Sequence, residues 1–189
     1  ITQEETISNI QYHLLFHNHL DRNIVRFNPS DPYGNYFYAD YALEKVRIIN
    51  LNYYDAQDMQ EPGIHDKQLA WLDEVAMNFS DCDDPSDWTV VLFAHYYRHC
   101  GECFWKIIEE KREKAGVKIA GFIYGDSHSD QFSFERGMNM VGVMSGYCTP
   151  EEAGTPSEDS FSIFTVDTQN DCLIETKVGR GEDRRFCFY

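Results

Sequence analysis

The sequence predicts an α/β domain, on three observations. Two apolar runs, Leu92-Phe93-Ala94 and Phe122-Ile123-Tyr124, break into polar residues that carry a histidine, His95 in one case and His128 in the other. This is the form of a buried strand that delivers a side chain at its C-terminal end, where open α/β sheets build their sites. Segments of helix and strand periodicity alternate along the chain. Its 189 residues, with no internal repeat and no long low-complexity linker, fit a single domain over 1–189 with a sizeable core.

Taken in order, residues 3–20 place Ile7, Ile10, Leu14 and Leu15 at helical spacing, which predicts an amphipathic helix. The cluster Asn28-Pro29-Ser30-Asp31-Pro32-Tyr33-Gly34 predicts a turn-rich loop. Tyr36-Phe37-Tyr38 and residues 46–51 predict two strands, as a hairpin or as neighbours in one sheet. Asp66 is an N-cap type of residue opening a helix over 66–75, with Leu69, Leu72 and Val75 on one face. Residues 89–93 predict a buried strand, 102–115 a helix stopped by Gly116, and 119–124 another strand. Residues 138–144 and 160–166 predict further strands, and 171–178 pairs with the latter across Thr168-Gln169-Asn170. The stretch 150–157 is the loosest segment.

Charge and composition narrow the function. With 32 acidic against 16 basic side chains the formal charge is −16, so a nucleic-acid backbone is repelled over most of the surface. An anionic substrate then needs a metal ion or local cations to offset the field. There is no apolar stretch near the length that crosses a bilayer, and the expectation is no membrane partner. Six cysteines, Cys82, Cys100, Cys103, Cys148, Cys172 and Cys187, are scattered through a domain too large to need staples. They predict mostly free thiols in a reducing, cytoplasmic setting.

Several segments together carry a family resemblance. Leu51-Asn52-Tyr53-Tyr54-Asp55 follows a strand, and Gln68-Leu69-Ala70-Trp71-Leu72 lies in a helix. The strand ending in His95 comes next, then Gly125-Asp126-Ser127-His128, and last a tail from Asp159-Ser160-Phe161 through Gly179-Arg180-Gly181-Glu182-Asp183-Arg184. In this order they resemble the C-terminal portion of the calcineurin-like metallophosphoesterases, bacterial and phage members in particular. The resemblance implies an α/β sandwich of two mixed sheets flanked by helices. It also implies metal-assisted hydrolysis of a phosphomonoester or phosphodiester, with Mn, Fe, Zn or Mg as the divalent ions. His95 matches the family's strand-end metal ligand, and His128 the second His of its Gly-His-x-His block. Asp126 stands where that block has its first His. A carboxylate also binds hard or borderline divalent ions, so Asp126 is the third candidate ligand.

The family's Asp-x-His, Gly-Asp-x-x-Asp and Gly-Asn-His blocks do not occur in this chain. In the family they supply the bridging carboxylate that holds two ions roughly 3.5–4 Å apart and the general acid. By the resemblance they belong before residue 1, in a parent chain or on a partner chain, and no catalytic residue is assigned within 1–189. The alternative is a noncatalytic structural or protein-binding module that keeps the fold with a decayed metal site.

Each candidate also has a plainer reading. A strand-end His can simply cap a sheet, and Asp126 can make an Asx-turn. Cys100-Gly101-Glu102-Cys103 spells Cys-x-x-Cys, but no second such pair follows, so two ordinary thiols at a helix start are expected. His13 and His17 are four apart and share a helix face, without the Glu of a zincin motif, and a partly exposed surface is expected.

Overall fold

The computed structural model describes residues 9–54, 63–98, 100–144, 151, 153–155, 158 and 160–189. They form a mixed α/β fold with a seven-stranded mixed sheet and a three-stranded antiparallel sheet. The strands are β1 (Val25–Phe27), β2 (Phe37–Tyr41), β3 (Val46–Asn50), β4 (Thr89–Ala94), β5 (Lys118–Tyr124), β6 (Gln131–Glu135), β7 (Met138–Gly142), β8 (Phe161–Asp167), β9 (Cys172–Val178) and β10 (Arg184–Cys187). The large sheet runs β1-β2-β3-β4-β5-β7-β6, with β3, β4, β5 and β7 parallel and both ends antiparallel. The small sheet, β10-β9-β8, is antiparallel throughout and not mixed as expected, because its strands are joined by short loops.

The sheet has a different layer on each face. On one, helix α2 (Asp66–Trp71) and helix α3 (Gly101–Ala115) contribute Trp71, Phe104, Trp105 and Ile108 to a core shared with Ile49, Val90, Leu92, Ile119 and Phe122. On the other, Leu173, Phe186 and Phe188 of the small sheet and its C-terminal end meet Val91, Ala120, Ile123 and Val141. A bulge shifts the β4–β5 register between Val90 and Val91, which pair with Ile119 and Gly121. The extra residue, Ala120, lets both Ile119 and Phe122 face the helices.

The predicted strands and α3 stand within a residue or two of their expected bounds, and α3 ends on Gly116 at φ 71°. Tyr36-Phe37-Tyr38 extends to Tyr41 and does form a hairpin with β3. Three strands are additional: β1, β6 and β10. The β6–β7 hairpin turns on Arg136 and Gly137, both at positive φ (50° and 73°), the conformation of a two-residue type I′ turn. The stretch 150–157 lies in part outside the described residues.

Two helices differ from expectation. The first is α1 (Asn9–Phe16), continued by a 3-10 turn over His17–His19. Leu14 and Leu15 are 54% and 58% exposed, while His13 and His17 are buried against Phe27, Tyr33 and Phe37. The inward face therefore carries the histidines, which correct the expected surface pair; Ile7 and the Ile10 side chain lie outside what is described. The second is α2, where Asp66 is the first helical residue after His65 and not the cap. A π turn over Leu72–Ala76, closed by Met77 N–H to Leu72 O at 2.8 Å, adds a residue to the helical period. It rotates Val75 to solvent and brings Trp71, Leu72 and Ala76 inward.

Candidate functional site

β4 and β5 are adjacent and parallel, so the residues after them emerge together. Gly125 N–H and Asp126 N–H both donate to His95 O, at 3.0 and 2.9 Å, carrying the ladder one step beyond the strands. This fixes His95 beside Asp126, with Nε2 and Oδ1 3.1 Å apart. Both side chains face solvent, at 47% and 42% exposure. Two adjacent ligands on one divalent ion, with bonds of about 2.0–2.1 Å, stand about 3 Å apart, so this donor pair fits two corners of a coordination sphere. The same distance fits a hydrogen bond from imidazole Nε2–H to the carboxylate.

His128 lies on the turn that follows. Its N–H donates to Gly125 O at 3.3 Å, and its own φ of 49° is left-handed, a conformation that costs a non-glycine residue about 1–2 kcal/mol. The turn brings His95 and Asp126 together, but no group of three or more His, Cys, Asp or Glu among the described residues is arranged to hold a metal ion.

Aromatic rings back the pair. Tyr53 and Tyr54, from the segment after β3, place their rings 6.2 and 6.0 Å from the His95 ring. Burial, with Tyr54, Cys100 and Asp126 nearby, pushes the Tyr53 hydroxyl up to about 12, so it stays a neutral donor. Gln68 locks this segment in place: its Oε1 accepts from Asn52 N–H at 2.9 Å and its Nε2 donates to Asn52 O at 2.8 Å. That is the physical role of the Gln in Gln-Leu-x-Trp-Leu, a residue the motif shows without its function; Asp55 lies outside the described residues.

The far end of the turn is clamped. Arg184 holds Asp130 bidentately at 2.7 and 2.7 Å, and Lys177 Nζ reaches Asp130 at 2.8 Å. Lys177 also pairs with fully buried Glu175, whose Oε1 accepts from Ser162 Oγ at 2.8 Å. Gly181, at φ 111°, lets the chain pass where a Cβ would stand 3.2 Å from Lys177 and 3.3 Å from Asp130. Asp183 accepts from Lys177 N–H at 2.8 Å. The Gly-x-Gly-Glu-Asp-Arg tail is thus the half of a clamp whose other half is Asp130.

A groove of ≈ 350 Å³ opens next to the pair, between the two sheets, lined by Phe93, Ala94, Ile123, Tyr124, Gly125 and Phe164 among others. Ala94 and Gly125 directly precede His95 and Asp126. Cys100 is buried before α3, its thiol pushed up to about 12 by desolvation, and Cys103 is exposed on the helix. No helix among the described residues is long and apolar enough to cross a membrane.

No protein-family model and no curated protein sequence matches this chain.

Proposed function

We propose that this chain carries part of the metal centre of a phosphoesterase with the metallophosphoesterase fold. The observation that supports it most is the placing of His95 and Asp126, 3.1 Å apart and open to solvent, at the C-terminal ends of adjacent parallel strands. His95 and Asp126, which stand together, are the first ligands, and His128 becomes the third by a shift of the turn that draws it to the ion. A bound divalent ion, Mn, Fe, Zn or Mg, supplies the positive charge that an acidic protein otherwise lacks for a phosphate ester, together with Lewis acidity toward its oxygens.

The chain's own groups do the rest. The two amides donated to His95 O fix the imidazole's origin, and Tyr53 and Tyr54 restrict its ring. The groove beside the pair takes the apolar organic part of the ester. Three ligands do not complete a two-ion centre, so turnover requires the bridging carboxylate and general acid from another segment, of a parent chain or a partner. The setting proposed is the cytoplasm.

One observation favours the noncatalytic module instead: His95 and Asp126 satisfy each other directly and can serve as a polar cap on the sheet. Equilibrium binding of an aryl phosphate to the purified chain decides between them. The phosphoesterase reading expects binding with Mn2+, none with a chelator, and loss of the Mn2+-dependent part in His95→Ala. Binding that is absent with Mn2+, or unchanged by His95→Ala, overturns it in favour of the module.

A further inference from the structure

We infer that Cys172 and Cys187 form a redox-modification site, a dithiol that closes to a cross-strand disulfide with a small-molecule disulfide of the glutathione type. The inference is independent of the phosphoesterase reading. The two residues are direct partners in the β9–β10 register. The neighbouring pair, Asp171 and Phe188, carries a ladder bond from Phe188 N–H to Asp171 O at 3.0 Å. Ladder pairs alternate, so the cysteines occupy a non-hydrogen-bonded position, where opposed Cα atoms stand about 4.5 Å apart. That spacing lies inside the about 4.4–6.8 Å span that a disulfide bridges. Their Sγ atoms are 3.9 Å apart, within a rotamer adjustment of bonding.

The geometry suits exchange chemistry, although the hydrogen bond to Cys172 raises the pKa of Cys187 and makes its attack depend on alkaline pH. Arg185 Nε donates to Cys172 Sγ at 3.0 Å, which orients that sulfur beside Cys187. Cys172 is buried, whereas Cys187 is exposed and meets the reagent first. The other described cysteines lack this arrangement: Cys100 is buried with its thiol directed at Tyr96 O, 3.6 Å away, Cys82 lies in the loop before β4 and Cys103 on α3.

In the first step the Cys187 thiolate attacks one sulfur of the reagent, and the other leaves as a thiolate. In the second, the Cys172 thiolate attacks the Cys187 sulfur of the mixed disulfide and expels the second reagent thiolate. Two electrons pass from the protein sulfurs to the reagent, and the two thiol protons leave with its two thiols. The bridge ties the last strand to β9, which carries Glu175 and Lys177, and fixes β10, which carries Arg184. Oxidation therefore tightens the clamp that holds Asp130.

The experiment incubates the folded chain with oxidised glutathione, blocks remaining thiols by alkylation and maps linked peptides by mass spectrometry. The expected result is a Cys172–Cys187 peptide as the first intramolecular product, reversed by dithiothreitol, with a raised thermal unfolding midpoint in the oxidised form. Cys187→Ser abolishes it while leaving Cys172 reduced. A different pair forming first, arrest at the glutathione adduct of Cys187, or thiols that all stay reduced overturns the inference.

Discussion

Asp126 and Asp130 sit four residues apart on one turn and face opposite ends of the electrostatic scale. Asp130 is enclosed by Lys177 and Arg184, which also meet buried Glu175, so each charge has a partner and none is left for a ligand. Among the described residues Asp126 has a single partner, His95, and both are open to water. A group saturated by buried partners does structural work, whereas an exposed pair held in place by backbone bonds is available for chemistry. The comparison separates the clamp from the site without reference to any ligand.

Removing one member from each end has the largest contrasting effects. Glu175→Ala leaves Lys177 and Arg184 to share the single carboxylate of Asp130, one positive charge in excess, and a loss of about 3–5 kcal/mol in denaturant unfolding is expected. Asp126→Ala removes an exposed partner and is expected to stay within about 0.5 kcal/mol of the parent. Equal losses would mean that both ends are structural. Next in size is Gln68→Ala, which strips two partly buried bonds from the Asn52 backbone. It is expected to cost about 1–3 kcal/mol and to loosen Tyr53 and Tyr54, read as increased amide exchange after β3.

Acid separates a third region from the clamp. Burial lowers the pKa of His13 and His17 from their ordinary 6.5, with Arg22 adding to it and, at His17, the neighbouring His13. The unfolded chain therefore binds more protons than the folded one below that value, and the contribution of α1 docking is complete above about pH 6.5 and declines as pH falls. At Asp130 burial pushes the carboxyl up, but Lys177 and Arg184 outweigh it and hold the pKa below its ordinary 3.8. Its contribution is present above that value and is lost as pH falls through the lower, folded value. Hydrogen exchange should show α1 opening first, with β9 amides protected until about pH 4 or below. Simultaneous opening would contradict the assignment of separate causes.

The parallel strands were legible because β4 and β5 are buried on both faces and read as unbroken apolar runs. His95 and Asp126 were legible because those runs end at them. β6 was not, since its phenylalanines, Phe132 and Phe134, face solvent and its turn uses Arg-Gly in place of the Asn-Gly that announces such hairpins. The burial of His13 and His17 was hidden because leucines outrank histidines on any hydropathy pattern, whereas here the local partners are aromatic rings. The clamp was hidden because Asp130 and Arg184 meet only through the packing of one sheet on the other.

The most direct measurement is a Zn2+ titration of the isotope-labelled chain followed through its histidine side-chain resonances. Metal binding at the turn predicts that His95 and His128 shift together, that His13 and His17 do not move, and that Asp126→Ala abolishes the shift at His95 while leaving the fold intact. A His95 resonance indifferent to Zn2+, or a shift that survives Asp126→Ala unchanged, would contradict a metal centre at the ends of β4 and β5.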